Sequence, residues 1–278
     1  MVGINLQGRL GNQLFQLAFI FSLAKKHNTC FFIDYPIHYP LLVNRYFHFQ
    51  DRNLLFLKWI NKLVNVFIQL KLLHFRKKTI PLNTSGPEIA TLKDKVIYSG
   101  FFQTPDYYFL NEKRLNGQFR VKKKYRLLFE KKYQELFLNH TIVAIHVRRT
   151  DYADWYLDDL GDSDFRLPYK YYGNCLEKIG EVENCRFIVI GDDTEFLRKK
   201  FSSNTHFLFE KNDEITDFQI LMNSNIVISS NSSFAWWGCF LNRRQNKKVF
   251  APKYWLGFKV KQEYPVGIMV KDWEWIEF

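Results

Sequence analysis

Two adjacent arginines, Arg148 and Arg149, stand where an apolar run from Thr141 to Val147 gives way to the polar end of HVRRTDY. Arginine forks hold phosphate oxygens bidentately and stay charged at any working pH, so a pair at the mouth of a buried strand suits a diphosphate leaving group. Taken alone, two such arginines are as readily plain surface charge, and their neighbours must decide. Asp192 and Asp193 follow a second apolar run, Cys185 to Ile190, where a carboxylate could accept hydrogen bonds from a ribose or a guanine edge, or simply cap a helix. After a third run, Asn225 to Ile228, comes SSNSSFAWWGCFLN, a serine-rich turn entering a helix. Its N–H groups and hydroxyls would make an anion site, and Asn231 to Ser233 suit an ordinary N-cap equally well. Trp236 and Trp237 read as core rather than as stacking platforms.

Other polar clusters compete for the chemistry. Asp162-Ser163-Asp164 has the D-x-D form with which many sugar transferases hold Mn²⁺ beneath a nucleotide diphosphate, but no strand precedes it. The same stretch carries Asp151, Asp154, Asp158 and Asp159, lacks the glycine and final Glu of a calcium-binding hand, and reads as a solvated or acceptor-facing loop. GRLGN, Gly8 to Asn12, is only superficially a phosphate loop, because no G-K-[ST] ends it and a third glycine is missing. Four scattered cysteines, with no C-x-x-C and no histidines at finger spacing, indicate neither a disulfide scaffold nor a zinc site.

Such side chains need strands to carry them. Gly3 to Gln7, Asn12 to Lys26 and Cys30 to Tyr35 read as strand, helix and strand, the opening of a parallel sheet. Val96 to Phe102 reads as a further strand, and Lys122 to Leu138 as a charged surface helix leading to a second domain that begins near Asn139. Beyond it the apolar runs Thr141 to Arg149, Cys185 to Asp193, Asn225 to Ser230 and Lys248 to Pro252 alternate with helical stretches at Tyr169 to Ile179, Glu195 to Phe201, Glu214 to Met222 and Phe234 to Asn242. That alternation means a parallel sheet covered on both faces, with ligand at the carboxyl ends of its strands. A chain of 278 residues has room for two modest domains, and 47% hydrophobic with 24% charged residues excludes collagen-like and disordered readings.

Forty Lys and Arg against 28 Asp and Glu leave a net charge of +12, which narrows the partner to something acidic: nucleic acid, a nucleotide or an anionic membrane surface. No helix-turn-helix, RNP or zinc signature accompanies that charge. From Arg52 to Pro87 there is no acidic residue, while Lys58, Asn61, Lys62, Asn65 and Gln69 fall on one helical face and Leu55, Trp59, Ile60, Leu63, Val66, Phe67, Leu70 and Leu73 cover the rest. Lysines at its middle argue against a spanning helix, and both a core-packed helix and an interfacial one fit the pattern of residues 54–75. The amino terminus has no basic region followed by an apolar run and a cleavage site, which leads to the expectation of a cytoplasmic protein, with the inner face of the membrane open to it.

GRLGNQLFQ at Gly8, GFFQTPDYY at Gly100, HVRRTDY at His146, IGDD at Ile190 and NSSFAWWGCFLN at Asn231, in this order, resemble the bacterial α-1,2-fucosyltransferases of glycosyltransferase family 11 over nearly the whole chain. The resemblance implies an α/β fold of GT-B type, two Rossmann-like domains whose parallel sheets face a central cleft. Residues 1–138 would be the acceptor-side domain and 139–278 the GDP-fucose-binding domain. It implies transfer from GDP-β-L-fucose with inversion, an α-1,2 linkage to galactose O2, and no metal or other cofactor. On this resemblance Arg148 ligates the β-phosphate, Arg149 shapes the donor site, His146 lies near the nucleoside, and Asp192 or Asp193 reads the guanine. Ser232, Ser233 and Phe234 match the turn that cradles the diphosphate, and Asn12 matches an asparagine in a similar turn of protein O-fucosyltransferases. Thr150 departs from the glycine common at its position. Asp154, Asp158 and Asp159 are candidates for the general base because they follow the arginines. The partners implied are GDP-fucose and a galactose-terminated glycan, lipid-linked or free, with no nucleic acid. Two alternatives stay open from the residues themselves: a metal-dependent GT-A-type transferase using Asp162 and Asp164, and a basic nucleic-acid-binding protein.

Overall fold

The structure is a computed structural model that describes residues 1–34, 41–48, 52–84, 91–107 and 119–278, with the backbone alone for 52–60. Tyr35, Tyr108 and the side chains of Leu55, Lys58, Trp59 and Ile60 lie outside the described residues. The chain divides into two compact units, Met1–Lys122 with Pro265–Ile268, and Lys123–Tyr264 with Met269–Phe278.

The first unit is built on a parallel sheet in the order β2-β1-β5-β4, with β1 Val2–Asn5, β2 Phe31–Asp34, β4 Arg76–Thr79 and β5 Val96–Ser99. Helix α1, Leu10–Lys26, is buried nearly all round and ends on Lys25 and Lys26, where positive charge suits the helix dipole. Helix α2, Leu42–Tyr46, leads into β3, Phe47–His48, which pairs antiparallel with β6, Arg120–Val121. Strand β4 was not legible in the pattern, because all four of its residues are exposed and three are charged.

Helix α3, Arg52–Gln69, turns Asn61 and Asn65 inward. Asn61 is buried; its Nδ2 donates to the Ile33 carbonyl at 3.1 Å and its Oδ1 accepts from the Ile33 N–H at 2.6 Å. Asn65 Nδ2 donates to the same carbonyl at 3.2 Å. The two side chains thus satisfy the open edge of β2 in place of a further strand. Val64 packs beside them on Phe32 and Ile97.

The second unit begins with α4, Lys123–Asn139, so the division falls ahead of Lys123 rather than at Asn139. The physical reason is a buried stripe, Phe129, Tyr133 and Phe137, at four-residue spacing. Gln219, on α7 Glu214–Asn223, donates to the Tyr125 carbonyl of α4 at 3.1 Å and joins the two helices. The sheet runs β11-β10-β7-β12-β13-β14, every pair parallel: β7 Thr141–Val147, β10 Cys185–Gly191, β11 Phe207–Phe209, β12 Ile226–Ile228, β13 Lys248–Pro252 and β14 Glu274–Ile276. The expected strands are present, ending at Val147 and Gly191 rather than continuing through Arg149 and Asp193. Helices α5 Tyr169–Ile179, α6 Glu195–Phe201 and α8 Ser233–Phe240 complete the alternation, and β8 Tyr156–Leu157 with β9 Asp162–Ser163 form a small antiparallel ribbon. None of the described helices is long and apolar enough to cross a membrane.

Candidate active site

Strand order in the second unit locates the site. From central β7 the chain moves outward through β10 and β11, then returns to lay β12, β13 and β14 on the other side. Ligands of such sheets bind outside the carboxyl ends of the strands where this reversal occurs, here between β7 and β12. The residues leaving β7 are Arg148 and Arg149, and those leaving β12 are Ser229 to Ser233.

The arginine turn is clamped by Asp192 at the end of neighbouring β10. Asp192 Oδ1 accepts from the Arg149 N–H at 2.8 Å, and its Oδ2 accepts from the Thr150 hydroxyl at 2.7 Å and the Thr150 N–H at 3.3 Å. The Arg148 guanidinium lies against the same oxygen, Nη1 to Oδ2 3.2 Å, and its Nη2 bonds Asp151. Thr150, where glycine was expected to be common, therefore has a bond for its hydroxyl. Gly191 permits the clamp: at φ +125° a Cβ there would stand 2.0 Å from the Val147 carbonyl oxygen.

Arg149 is held differently. Its Nη1 donates to the Leu167 carbonyl at 2.8 Å, its Nε lies 3.3 Å from Asp193, and its guanidinium stacks 3.7 Å from the Phe196 ring centroid. Asp193 Oδ1 also accepts the Phe196 N–H at 3.2 Å, near the start of α6. Asp192 and Asp193, one of which was expected to read a guanine, are thus bonded to the arginine turn and the following helix. Sequence reasoning missed the grip of Asp192 on the arginine turn, whereas the Asp193 bond at the start of the helix is the capping alternative it had left open; Asp151 was counted only with the acidic stretch, and Tyr152 was not singled out beyond its place in HVRRTDY.

His146 and the serine turn meet across the reversal. His146 is buried, its Nδ1 lies 2.8 Å from Ser230 Oγ, and its ring is 5.6 Å from that of Phe234. Burial pushes its pKa down to about 3, with the Asp192 charge opposing and the Arg148 charge adding to the effect, so the ring is neutral. Ser229, Ser230, Asn231 and Ser232 are buried, and Ser233 and Phe234 at the start of α8 are partly open. Tyr152 donates its hydroxyl to the Asn231 carbonyl at 3.0 Å and Asn231 Nδ2 donates to the Phe165 carbonyl at 2.9 Å, which ties the turn to the loop after the arginines. Trp236 and Trp237 are fully buried, as expected of core residues.

The acidic loop is largely spoken for. Asp164 forms a two-point pair with Arg166, at 2.7 and 2.8 Å, which holds its carboxyl below the usual range. Asp162 lies 3.2 Å from Lys259, and Asp159 accepts from the Tyr264 hydroxyl at 2.7 Å. Asp154 and Asp158 are exposed. Among the described residues no group of three His, Cys, Asp or Glu converges as metal ligands would.

Asn12 belongs to the first unit, in the first turn of α1. Gly8, at φ +77°, leaves room for its side chain, since a Cβ there would come within 2.3 Å of Asn12 Nδ2. Gln103 Nε2 donates to Asn12 Oδ1 at 2.8 Å, and Gln16 Nε2 to the Gly100 carbonyl at 3.0 Å. The stretches GRLGNQLFQ and GFFQTPDYY, far apart in sequence, are therefore joined by glutamine bonds.

Two parallel α/β units, the second with arginine and serine turns at its strand reversal, are the build of a GT-B glycosyltransferase. The chain belongs to glycosyl transferase family 11, whose profile matches residues 1–277. An α-1,2-colitosyltransferase of Escherichia coli is 26% identical over 275 residues, covering 92% of each chain. The O-antigen biosynthesis glycosyltransferase WbnK of Escherichia coli is 27% identical over 124 residues, 42% of this chain and 40% of that one. Among solved structures, NodZ α-1,6-fucosyltransferase soaked with GDP-fucose matches with a TM-score of 0.52 at 14% identity, over 86% of this chain and 92% of that one, a likeness of fold.

Proposed function

We propose that the protein is an inverting transferase that moves L-fucose from GDP-β-L-fucose to galactose O2 of a bacterial surface glycan, in an α-1,2 linkage and without a metal ion. The observation that carries this reading is Arg148 at the strand reversal, oriented by Asp192 beside the buried serine turn. Inversion calls for one in-line displacement through an oxocarbenium-like state, with negative charge growing on GDP as the sugar departs. Arg148 and the N–H groups at the start of α8, near Ser232 and Ser233, would stabilise that charge. Asp151, exposed and three residues along, is the partner a phosphate oxygen would displace. Arg149, Asp192 and Asp193 act by holding the turn, and neutral His146 with Phe234 borders the nucleoside side. Asp154 and Asp158 are the candidates for accepting the proton of the acceptor hydroxyl, because Asp159 is already engaged as the hydrogen-bond acceptor of the Tyr264 hydroxyl. Asn12 and the first unit would serve the acceptor.

The colitosyltransferase relative favours a second donor, since colitose lacks one ring hydroxyl of fucose. Incubation with GDP-fucose or GDP-colitose and galactose-terminated acceptors, in EDTA and in Mn²⁺, followed by linkage analysis, tests both donors. Transfer undiminished by EDTA is expected; loss restored by Mn²⁺ would return Asp162 and Asp164 to the chemistry.

A further inference from the structure

The outer face of α3 is at odds with ordinary helix burial. Asn61 and Asn65 face the sheet together with Val64, and several apolar side chains of the last turns of the same helix are turned to solvent. Leu63, Val66, Phe67 and Leu70 are 53, 41, 41 and 62% exposed, and Leu72 and Leu73 in the turn that follows are 65 and 37% exposed. A soluble helix normally shows the reverse distribution, and a continuous apolar patch of this kind marks a docking surface. Charge says what docks. Lys62 and Lys71 are exposed within this same stretch, Arg76, Lys77 and Lys78 are exposed on β4 a few residues further along, and no acidic residue occurs from Arg52 to Pro87. A second copy of the chain seated on this face would bring lysine against lysine with no carboxylate between them. The face offers apolar side chains and charge of one sign, while Asn61 and Asn65 are engaged with Ile33. An anionic lipid surface asks for those features and for no directional contact.

We infer that α3 and the turn after it form a peripheral membrane anchor, in which Leu63, Phe67, Leu70 and Leu72 enter the headgroup boundary while Lys62 and Lys71 lie over anionic lipid phosphates. The inference is independent of the transferase reading, since it uses no residue of the donor site. It also fits an acceptor held at a membrane surface.

Co-sedimentation of the whole chain with vesicles of phosphatidylcholine, alone or mixed with phosphatidylglycerol, is the test. Wild type is expected to pellet with the mixed vesicles and to be released by high salt. Lys62→Glu and Lys71→Glu combined should weaken binding by at least about tenfold, because each basic residue near such a surface is worth about fivefold. Leu63→Ser, Phe67→Ser and Leu70→Ser combined change exposed side chains and should weaken it by about tenfold or more. Thermal unfolding of both variants like wild type would show that the fold is kept. Wild type left in the supernatant, variants pelleting as wild type does, or a dimer in light scattering that the serine variant dissolves would each overturn the anchor. Failure to bind GDP would sink the transferase reading and leave the vesicle result standing.

Discussion

Arg148 and Arg149 are adjacent in the chain yet are placed for different work. Arg148 meets two carboxylates, one of them the exposed Asp151, and so can exchange a protein partner for a ligand. Arg149 has its fork on Leu167 and Asp193 and its face on Phe196. Arg148→Ala should therefore lower turnover by roughly 10² to 10³ while leaving thermal unfolding near wild type. Arg148→Lys should fail similarly, since an ammonium cannot face Asp192 and a phosphate as a planar fork does. Arg149→Lys should show mainly in stability, by about 1 to 2 kcal/mol, through the lost stacking and the lost bond to Leu167. Parallel measurement of kcat and Tm separates them; a folded Arg148→Ala enzyme with wild-type turnover would remove Arg148 from the donor site.

At the scale of elements, the contact of α4 with α7 carries a buried carboxyl. Asp217 is 9% exposed and accepts from Asn212 at 2.9 Å; burial raises its pKa to about 7, and the nearby Asp213 and Glu210 charges add to the shift. The folded chain thus keeps a proton that the unfolded chain releases near pH 4, so the stability this group contributes is full below about pH 4 and lost as pH rises through about 7. His146 works with the opposite sign: its folded pKa near 3 lies below the unfolded value, so its contribution is full above about pH 6.5 and falls toward pH 3. Asp217→Asn keeps the acceptor for Asn212 and removes the charge. It should stabilise the protein at about pH 8, on the order of 2 kcal/mol, and much less at about pH 5. Equal effects at both values in thermal unfolding would show that Asp217 is ionised in the fold.

The same scale explains what could be read from the chain. Strands β7, β10, β12 and β13 were legible because a strand covered on both faces is apolar throughout. Strand β4 hid behind Arg76, Lys77 and Lys78, β11 and β14 are three-residue strands at the two edges of their sheet, and the inward turn of Asn61 depends on the unpaired edge of β2, which no helical pattern reveals. At the site the residue types were visible, whereas the grip of Asp192 on the arginine turn requires knowing that β10 lies beside β7.

For the molecule as a whole, the proposed donor site implies that the nucleotide meets the carboxyl edge of the second sheet, and that can be tested without identifying the acceptor. The carboxyl edge holds the turns after β7, β10 and β12; the opposite edge holds Asn139 to Thr141, Asn184 and Asn225, joined by bonds such as Asn225 Oδ1 to the Ile142 N–H at 3.0 Å. A nucleotide at the strand reversal would order the first set directly, by contact with Arg148 and with the N–H groups opening α8, and would leave the second set unchanged. Hydrogen exchange of the whole chain with and without GDP should therefore slow in peptides covering His146 to Tyr152 and Ser229 to Ala235, with a smaller effect at Gly191 to Phe196, where Asp192 relays the ordering of the arginine turn. Peptides spanning Asn139 to Ile142 and Glu183 to Arg186 should exchange at the same rate in both states. Protection concentrated on the amino edge, or confined to the acidic ribbon around Asp162 and Asp164, would place the nucleotide elsewhere and take the donor role away from Arg148.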